Sequence, residues 1–199
     1  MNRYFKNSFK FIIGSQYFLY FGVMGIFLPY FNLYCYHLNF SGFEIGTLSA
    51  VRSVALILFS LAWGLLADRF QIRRPIYILC NFISVAIWGF YFFTTAFWPM
   101  LFITVFYGMF YAPIISFLEA FTMDVLGAKK KRYGTIRGWG SIAFIITVIV
   151  LGWIIDLYSI RIILILIFCG SLLQALISFK IPDIQIKKQP LFLRKSKFF

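Results

Sequence analysis

The stretch AKKKRYGTIRGWGSIAF, residues 128–144, sets four consecutive basic residues, a glycine-spaced run and Arg137 at the mouth of an apolar helix that holds no acid until Asp156. Long apolar segments flank it, so it reads as a short basic loop between two membrane crossings. The whole chain shares that character: its 199 residues are 62% hydrophobic, 22% aromatic and only 13% charged, with a mean hydropathy of +0.88. A single soluble core cannot hide that much apolar surface, whereas a bilayer accepts it. The chain therefore reads as an all-α integral membrane protein whose first partner is the lipid bilayer.

A formal net charge of +13 raises nucleic acid as a partner. The basic residues, however, come in short clusters between apolar runs and form no continuous face to lay on phosphates, which excludes that class. A helix crosses the hydrocarbon core with about 20 apolar residues. On that rule six spans are expected, at 11–36, 44–66, 76–96, 99–126, 134–156 and 160–179, forming one bundle over 1–180 with a basic tail at 181–199. The first run is too long for a signal-peptide core and lacks a small-residue cleavage site. The second opens with SGFE, where Ser41 and Glu44 form a capping box. Pro75 and Pro99 sit at the starts of spans three and four, where a missing N–H does no harm.

Short basic loops are held on the cytoplasmic side. Seventeen of the nineteen lysines and arginines fall at the N-terminus (Arg3, Lys6, Lys10), in the second loop (Arg69, Arg73, Arg74), in or beside the fourth (Lys129, Lys130, Lys131, Arg132, Arg137) and in the tail (Lys180, Lys187, Lys188, Arg194, Lys195, Lys197). Both termini are thus expected in the cytoplasm, with a bacterial cytoplasmic membrane as the location. Arg161 is left in an outer loop and Arg52 in the middle of span two.

An ionisable side chain at membrane depth costs several kcal/mol unless it is paired or faces water, so each one marks a candidate site. Span four holds Glu119. Glu119 and Arg137 lie nine residues either side of Ala128, and an antiparallel hairpin of spans four and five puts them at one level on helices about 8 to 10 Å apart. The bland alternative is a structural ion pair. Such a pair stabilises little net, and a charged pair inside a membrane more often lines a pathway. Close packing of the hairpin is expected from Gly108, Ala112, Ser116 and Ala120 on span four and from the GxxxG of Gly134 and Gly138 on span five. In span two Ser49, Arg52, Ser53, Ser60 and Gly64 recur near helical spacing, as the lining of a wet cavity would; a snorkelling or interface role for Arg52 is the equal alternative. Span one carries Gln16, Tyr20, Asn32 and a Gly25 to Pro29 segment that can bend it. His37 reads as an exposed residue at the membrane edge. Cys35, Cys80 and Cys169 form no CxxC and read as packing residues, with no metal or cofactor implied.

GLLADRFQIRR, residues 64–74, resembles the G-x-L-a-D-R-x-G-R-R signature of the major facilitator superfamily between its second and third helices, with Gln71 at the signature's glycine position. Tyr20, Met24, Gly25 and Pro29 in span one and YGTIRGWGSIAF (133–144) at the start of span five resemble the lactose permease-like and phenylpropionate permease-like proton symporters, a group that includes oligosaccharide and nucleoside symporters. The resemblance implies the N-terminal six-helix half of a major facilitator fold. It implies a proton-coupled secondary transporter of a small polar solute, with the proton as coupling ion. Glu119 and Arg137 would then hold the substrate beside Tyr20 and Ser141. Phe144 stands at the family's sugar-stacking tryptophan, offering a ring face without an N–H donor, which leaves a different sugar, a nucleoside or an aromatic acid as substrate classes. Gly64, Asp68, Arg69, Arg73 and Arg74 would form the cytoplasmic gate motif.

Full members of that superfamily have twelve spans around a central cavity. A second six-helix half is therefore an expected partner, as another copy or a separate chain, and a truncated gene product is an equal expectation. A non-transporting membrane binding or partner protein derived from a permease half is the alternative function. A membrane-embedded enzyme is disfavoured, since there is no HExxH and no GxSxG with a second histidine.

Overall fold

Apolar side chains at helical spacing over runs of this length fold as the sequence predicts. A computed structural model describes residues 3–181, and helices carry nearly all of them: α1 (Arg3–His37), α2 (Gly42–Phe70), α3 (Arg73–Gly89), α4 (Phe97–Leu126), α5 (Tyr133–Leu157) and α6 (Ile162–Ser178), with short 3-10 turns at Phe90–Phe92 and Gly127–Arg132. The tail expected at 181–199 lies outside the described residues beyond Ile181. Five of the helices are long and apolar enough to cross a membrane; α6, at 17 residues, is shorter than expected. The third span also ends early. Its α-helix stops at Gly89 instead of 96, and the chain tightens through the 3-10 turn before reaching Thr94, whose hydroxyl accepts from the Ala96 N–H.

The caps follow the local chemistry. Ser41 and Glu44 form the reciprocal box, Ser41 N donating to Glu44 Oε2 at 2.8 Å and Glu44 N to Ser41 Oγ at 3.3 Å, which satisfies two otherwise orphaned donors at the start of α2. At the other end of α2, Gln71 adopts the left-handed conformation (φ 56°, ψ 33°) that the signature's glycine would favour. Its side-chain amide donates to Asp68 O at 2.6 Å. The tight turn thus forms without glycine.

The helices pack in two rows. The front row runs α5, α1, α4, α2, and α6 and α3 lie behind α1 and α4. This corrects the expected hairpin: α4 and α5 barely touch, because α1 lies between them. The reason is where small residues permit close approach. A Cβ at Gly25 of α1 would come 3.0 Å from Phe144 O of α5, whereas Gly134 and Gly138 have open space around them. The GxxxG of span five is therefore not a packing seam, and the glycine that meets the backbone of a neighbouring helix is Gly25 on α1. On α4, Gly108 faces Ala55 of α2 at 2.7 Å from where a Cβ would sit, while Ser116 is exposed.

Polar side chains pin the rows at points where an unsatisfied group would be costly in hydrocarbon. Buried Gln16 donates to Gln174 O (3.0 Å) and accepts from the Tyr77 hydroxyl (2.9 Å), joining α1, α3 and α6. Trp88 Nε1 donates to Leu164 O, Trp63 Nε1 to Met109 O and the Tyr30 hydroxyl to Val148 O, at 3.0, 3.0 and 2.7 Å. In membranes such bonds each contribute about 0.6 to 2 kcal/mol. Between α1 and α4, Tyr20, Tyr111 and Tyr107 stack in series, with centroids 5.1 and 4.9 Å apart. Cys35 and Cys80 are buried as packing residues, whereas Cys169 is exposed.

Candidate functional site

The two ionised side chains singled out in α4 and α5 meet across the front of α1. Arg137 Nη1 lies 3.4 Å from Glu119 Oε1, and the side chains are 47% and 39% exposed. Tyr133 closes a triangle between them: its hydroxyl donates to Glu119 Oε1 at 3.1 Å and accepts from Arg137 Nη1 at 3.0 Å. Tyr133 precedes Arg137 by four residues, so both project from one face of α5. The guanidinium also sits 6.0 Å from the centre of the Phe21 ring and 5.8 Å from that of Tyr133, within cation–π range. The site thus combines one carboxylate, one guanidinium, a phenol and ring faces, all open to the front. That set can pair with hydroxyls and with planar rings at once.

The other expected residues are placed less evenly. Ser141 is exposed one turn beyond Arg137, and Phe144 is half-buried two turns beyond it on the same face. Tyr20 departs from expectation. It is 3% exposed and stacked on Tyr111, so its ring faces inward, and its neighbour Phe21 takes the place beside Arg137. Tyr133 and Phe21 were missed, although the four-residue spacing of Tyr133 and Arg137 is visible in the quoted stretch. Behind the triangle, the buried Tyr17 and Thr122 hydroxyls share a hydrogen bond of 3.1 Å, tying α1 to α4 at the level of the site.

The motif at 64–74 forms a second polar cluster, at the end of the bundle that carries the basic loops. Arg73 donates through Nε (3.0 Å) and Nη2 (2.6 Å) to Asp68 Oδ1, and its Nη1 lies 3.8 Å from Asp124 Oδ2 at the end of α4. Arg74 Nη2 donates to Phe179 O, 2.9 Å away and just past α6. Arg69 instead lies over the ring of Phe70, and Gly64 has open space beside it. The arginines therefore clamp the ends of α2, α4 and α6 around α3. Asp124 was not singled out from the sequence, because nothing local distinguishes a helix-terminal aspartate that meets an arginine far earlier in the chain. With Arg73 and Asp68 about 36% and 52% exposed, the interaction is worth about 1 kcal/mol or less. Arg73→Ala is expected to lower unfolding stability by that amount in a detergent thermal melt. A loss several times larger would mean that the clamp holds the bundle together.

In span two, Ser49 Oγ donates to Asn32 Oδ1 at 3.2 Å and Ser53 Oγ to Ser49 O at 2.9 Å, so two members of the predicted polar stripe are satisfied within α1 and α2. Arg52 is half-buried, with its guanidinium 4.8 Å above the Phe27 ring. His37 is exposed, with Nδ1 2.8 Å from Leu33 O. Among the described residues no group of three or more histidine, cysteine or acidic side chains is placed to hold a metal.

Comparisons with known proteins agree with this architecture. A family model described as the MFS_1 like family matches residues 11–195. The chain is 26% identical over 156 residues to the sucrose permease of Escherichia coli, covering 73% of this chain and 37% of that protein. It is 29% identical over 161 residues to the probable 3-phenylpropionic acid transporter of Escherichia coli, covering 77% and 41%. A solved structure of a mutant of the nucleoside transporter NupG superposes with a TM-score of 0.83 at 20% identity, over 93% of this chain and 47% of that one. The chain spans about four tenths of the length of these curated relatives and about half of the solved structure.

Proposed function

The chain belongs to the MFS_1 like family, and from that membership we propose that it is one six-helix half of a secondary transporter for a small polar organic solute. The observation that carries the proposal is the Glu119–Tyr133–Arg137 triangle, half-exposed on the side of the bundle away from α3 and α6. A charged pair placed open to the front stabilises the fold little and instead offers donors and an acceptor to a ligand. The relatives are named for sucrose and 3-phenylpropionic acid and the structural neighbour for nucleosides, so the solute class is a sugar, an aromatic acid or a nucleoside.

On this proposal the site forms one wall of a cavity whose other wall is a second six-helix half, either another copy or a separate chain. The proton is the coupling ion, no other cofactor takes part and no catalysis occurs. Both termini and the Arg73–Asp68 clamp face the cytoplasm of a bacterial cell, following the basic loops. Ser141 and Phe144 extend the site beyond Arg137.

The test is uptake of radiolabelled sucrose, 3-phenylpropionate and uridine in cells expressing this chain alone or with the C-terminal half of a relative. Uptake of one of the three, dissipated by a protonophore, is expected when a second half is available. Binding without uptake in either arrangement would replace the transporter reading with that of a membrane binding protein.

A further inference from the structure

Arg52 stands out because no acid among the described residues pairs with it. Arg137 has Glu119, whereas no acidic oxygen among the described residues lies within 4 Å of the Arg52 guanidinium, which sits over the Phe27 ring. Glu44, the acid nearest in sequence, is bound to the Ser41 cap. Snorkelling does not account for this position. Arg52 lies ten residues into α2, Phe27 ten residues before the end of α1 and Tyr107 ten residues into α4. All three helix ends are on the same side of the bundle, so the guanidinium rests at the level of its own backbone, about 15 Å along the helices from those ends.

The surroundings are short of acceptors. Arg52 shares a narrow cavity of about 10 Å³ with Tyr107, Tyr111, Met24, Phe27 and Leu56, room for about one water-sized group such as a single carboxylate oxygen. Tyr107 and Tyr111 are 1% and 3% exposed; the Tyr107 hydroxyl lacks a hydrogen-bond partner, and that of Tyr111 has only the Tyr20 hydroxyl near it. A guanidinium only donates, and a phenol donates readily. A half-buried cation without an acid and buried hydroxyls short of partners are each costly to hold in hydrocarbon, and one carboxylate would satisfy them together.

We propose that Arg52, with the hydroxyls of Tyr107 and Tyr111, forms a subsite for the carboxylate of an organic acid, so that the solute carried by this fold is an acid rather than a neutral sugar. This rests on the transporter reading and narrows it. On α1, Phe21 beside Arg137 and Phe27 beneath Arg52 are six residues apart, about 9 Å along the axis. A solute about the length of an arylpropionate reaches from one level to the other, its carboxylate at Arg52 and its far end toward the Glu119 triangle.

The test is calorimetric titration of the purified full chain in nanodiscs with 3-(4-hydroxyphenyl)propionate, with its neutral amide and with sodium chloride. The acid is expected to bind at least about ten-fold more tightly than the amide. Arg52→Gln should bring the acid down to the amide's affinity while leaving the amide unchanged, Arg52→Lys should restore part of the difference, and the isosteric Tyr107→Phe should weaken the acid alone by a few-fold. Equal affinity for acid and amide in the natural chain, an undiminished acid preference in Arg52→Gln, or complete displacement of the acid by millimolar chloride would each overturn the subsite and leave the transporter reading intact. Failure of the natural chain to bind either organic ligand would overturn both.

Discussion

Glu119→Gln and Arg137→Ala are each expected to weaken ligand binding by about 100-fold or more while leaving the chain inserted and helical. Truncating one member of a close charge pair costs about 2 to 5 kcal/mol in recognition, because the ligand loses a charge-assisted bond and the surviving charge is left uncompensated. Stability should change much less. Both side chains are more than a third exposed, and the helices that carry them are held by other packing, α5 on α1 and α4 on α2 and α3, rather than by the pair. Alkali extraction of membranes, circular dichroism and titration with the three candidate solutes separate the two effects. Unchanged binding in both variants would reduce the pair to a brace, whereas a large fall in melting temperature with binding intact would show it to be part of the fold.

The second large effect is structural. Gly25→Val is expected to destabilise the bundle by about 2 to 3 kcal/mol and to abolish binding with it. A Cβ at Gly25 would lie 3.0 Å from Phe144 O and 3.3 Å from Phe144 Cα. Backbone atoms cannot rotate away as a side chain can, so α5 must back off, and overpacking of this kind typically costs 1 to 3 kcal/mol. Because α5 meets the bundle mainly through α1, the displacement carries Arg137 and Tyr133 away from Glu119. Gly134→Val and Gly138→Val are the controls. Open space surrounds both glycines, so apart from the modest cost of a β-branched residue in a helix, neither variant should destabilise the chain. If they prove as damaging as Gly25→Val, α4 and α5 pack closely after all.

Much of this arrangement was legible in the chain because it depends on local chemistry. The capping box needed only Ser41 and Glu44 three residues apart, and the span count needed only apolar length. The meeting of Glu119 and Arg137 was also foreseen, though through the wrong geometry: long side chains reach across α1, where a closely packed hairpin was expected. What the residues did not disclose is which helix lies against which. In hydrocarbon every apolar face is an acceptable partner, and small residues mark a possible close approach without naming the helix that uses it. Gly25 and Gly134 look alike in sequence; only one is used. Tyr20 was misplaced for a related reason, since a tyrosine in a span suits a cavity wall and an interior stack equally well. The turn at Gln71 formed despite its missing glycine, helped by a side-chain bond to Asp68 O that the spacing alone did not announce.

The central place of α1 has a consequence for biosynthesis. Its hydroxyl at Tyr30 bonds a carbonyl 118 positions onward, and its amide at Gln16 bonds one 158 positions onward. Segments leave the ribosome in order, so α1 enters the lipid before these mates exist, and the surfaces that meet them stay exposed to fatty acyl chains, or to a chaperoning insertase, until α5 and α6 emerge.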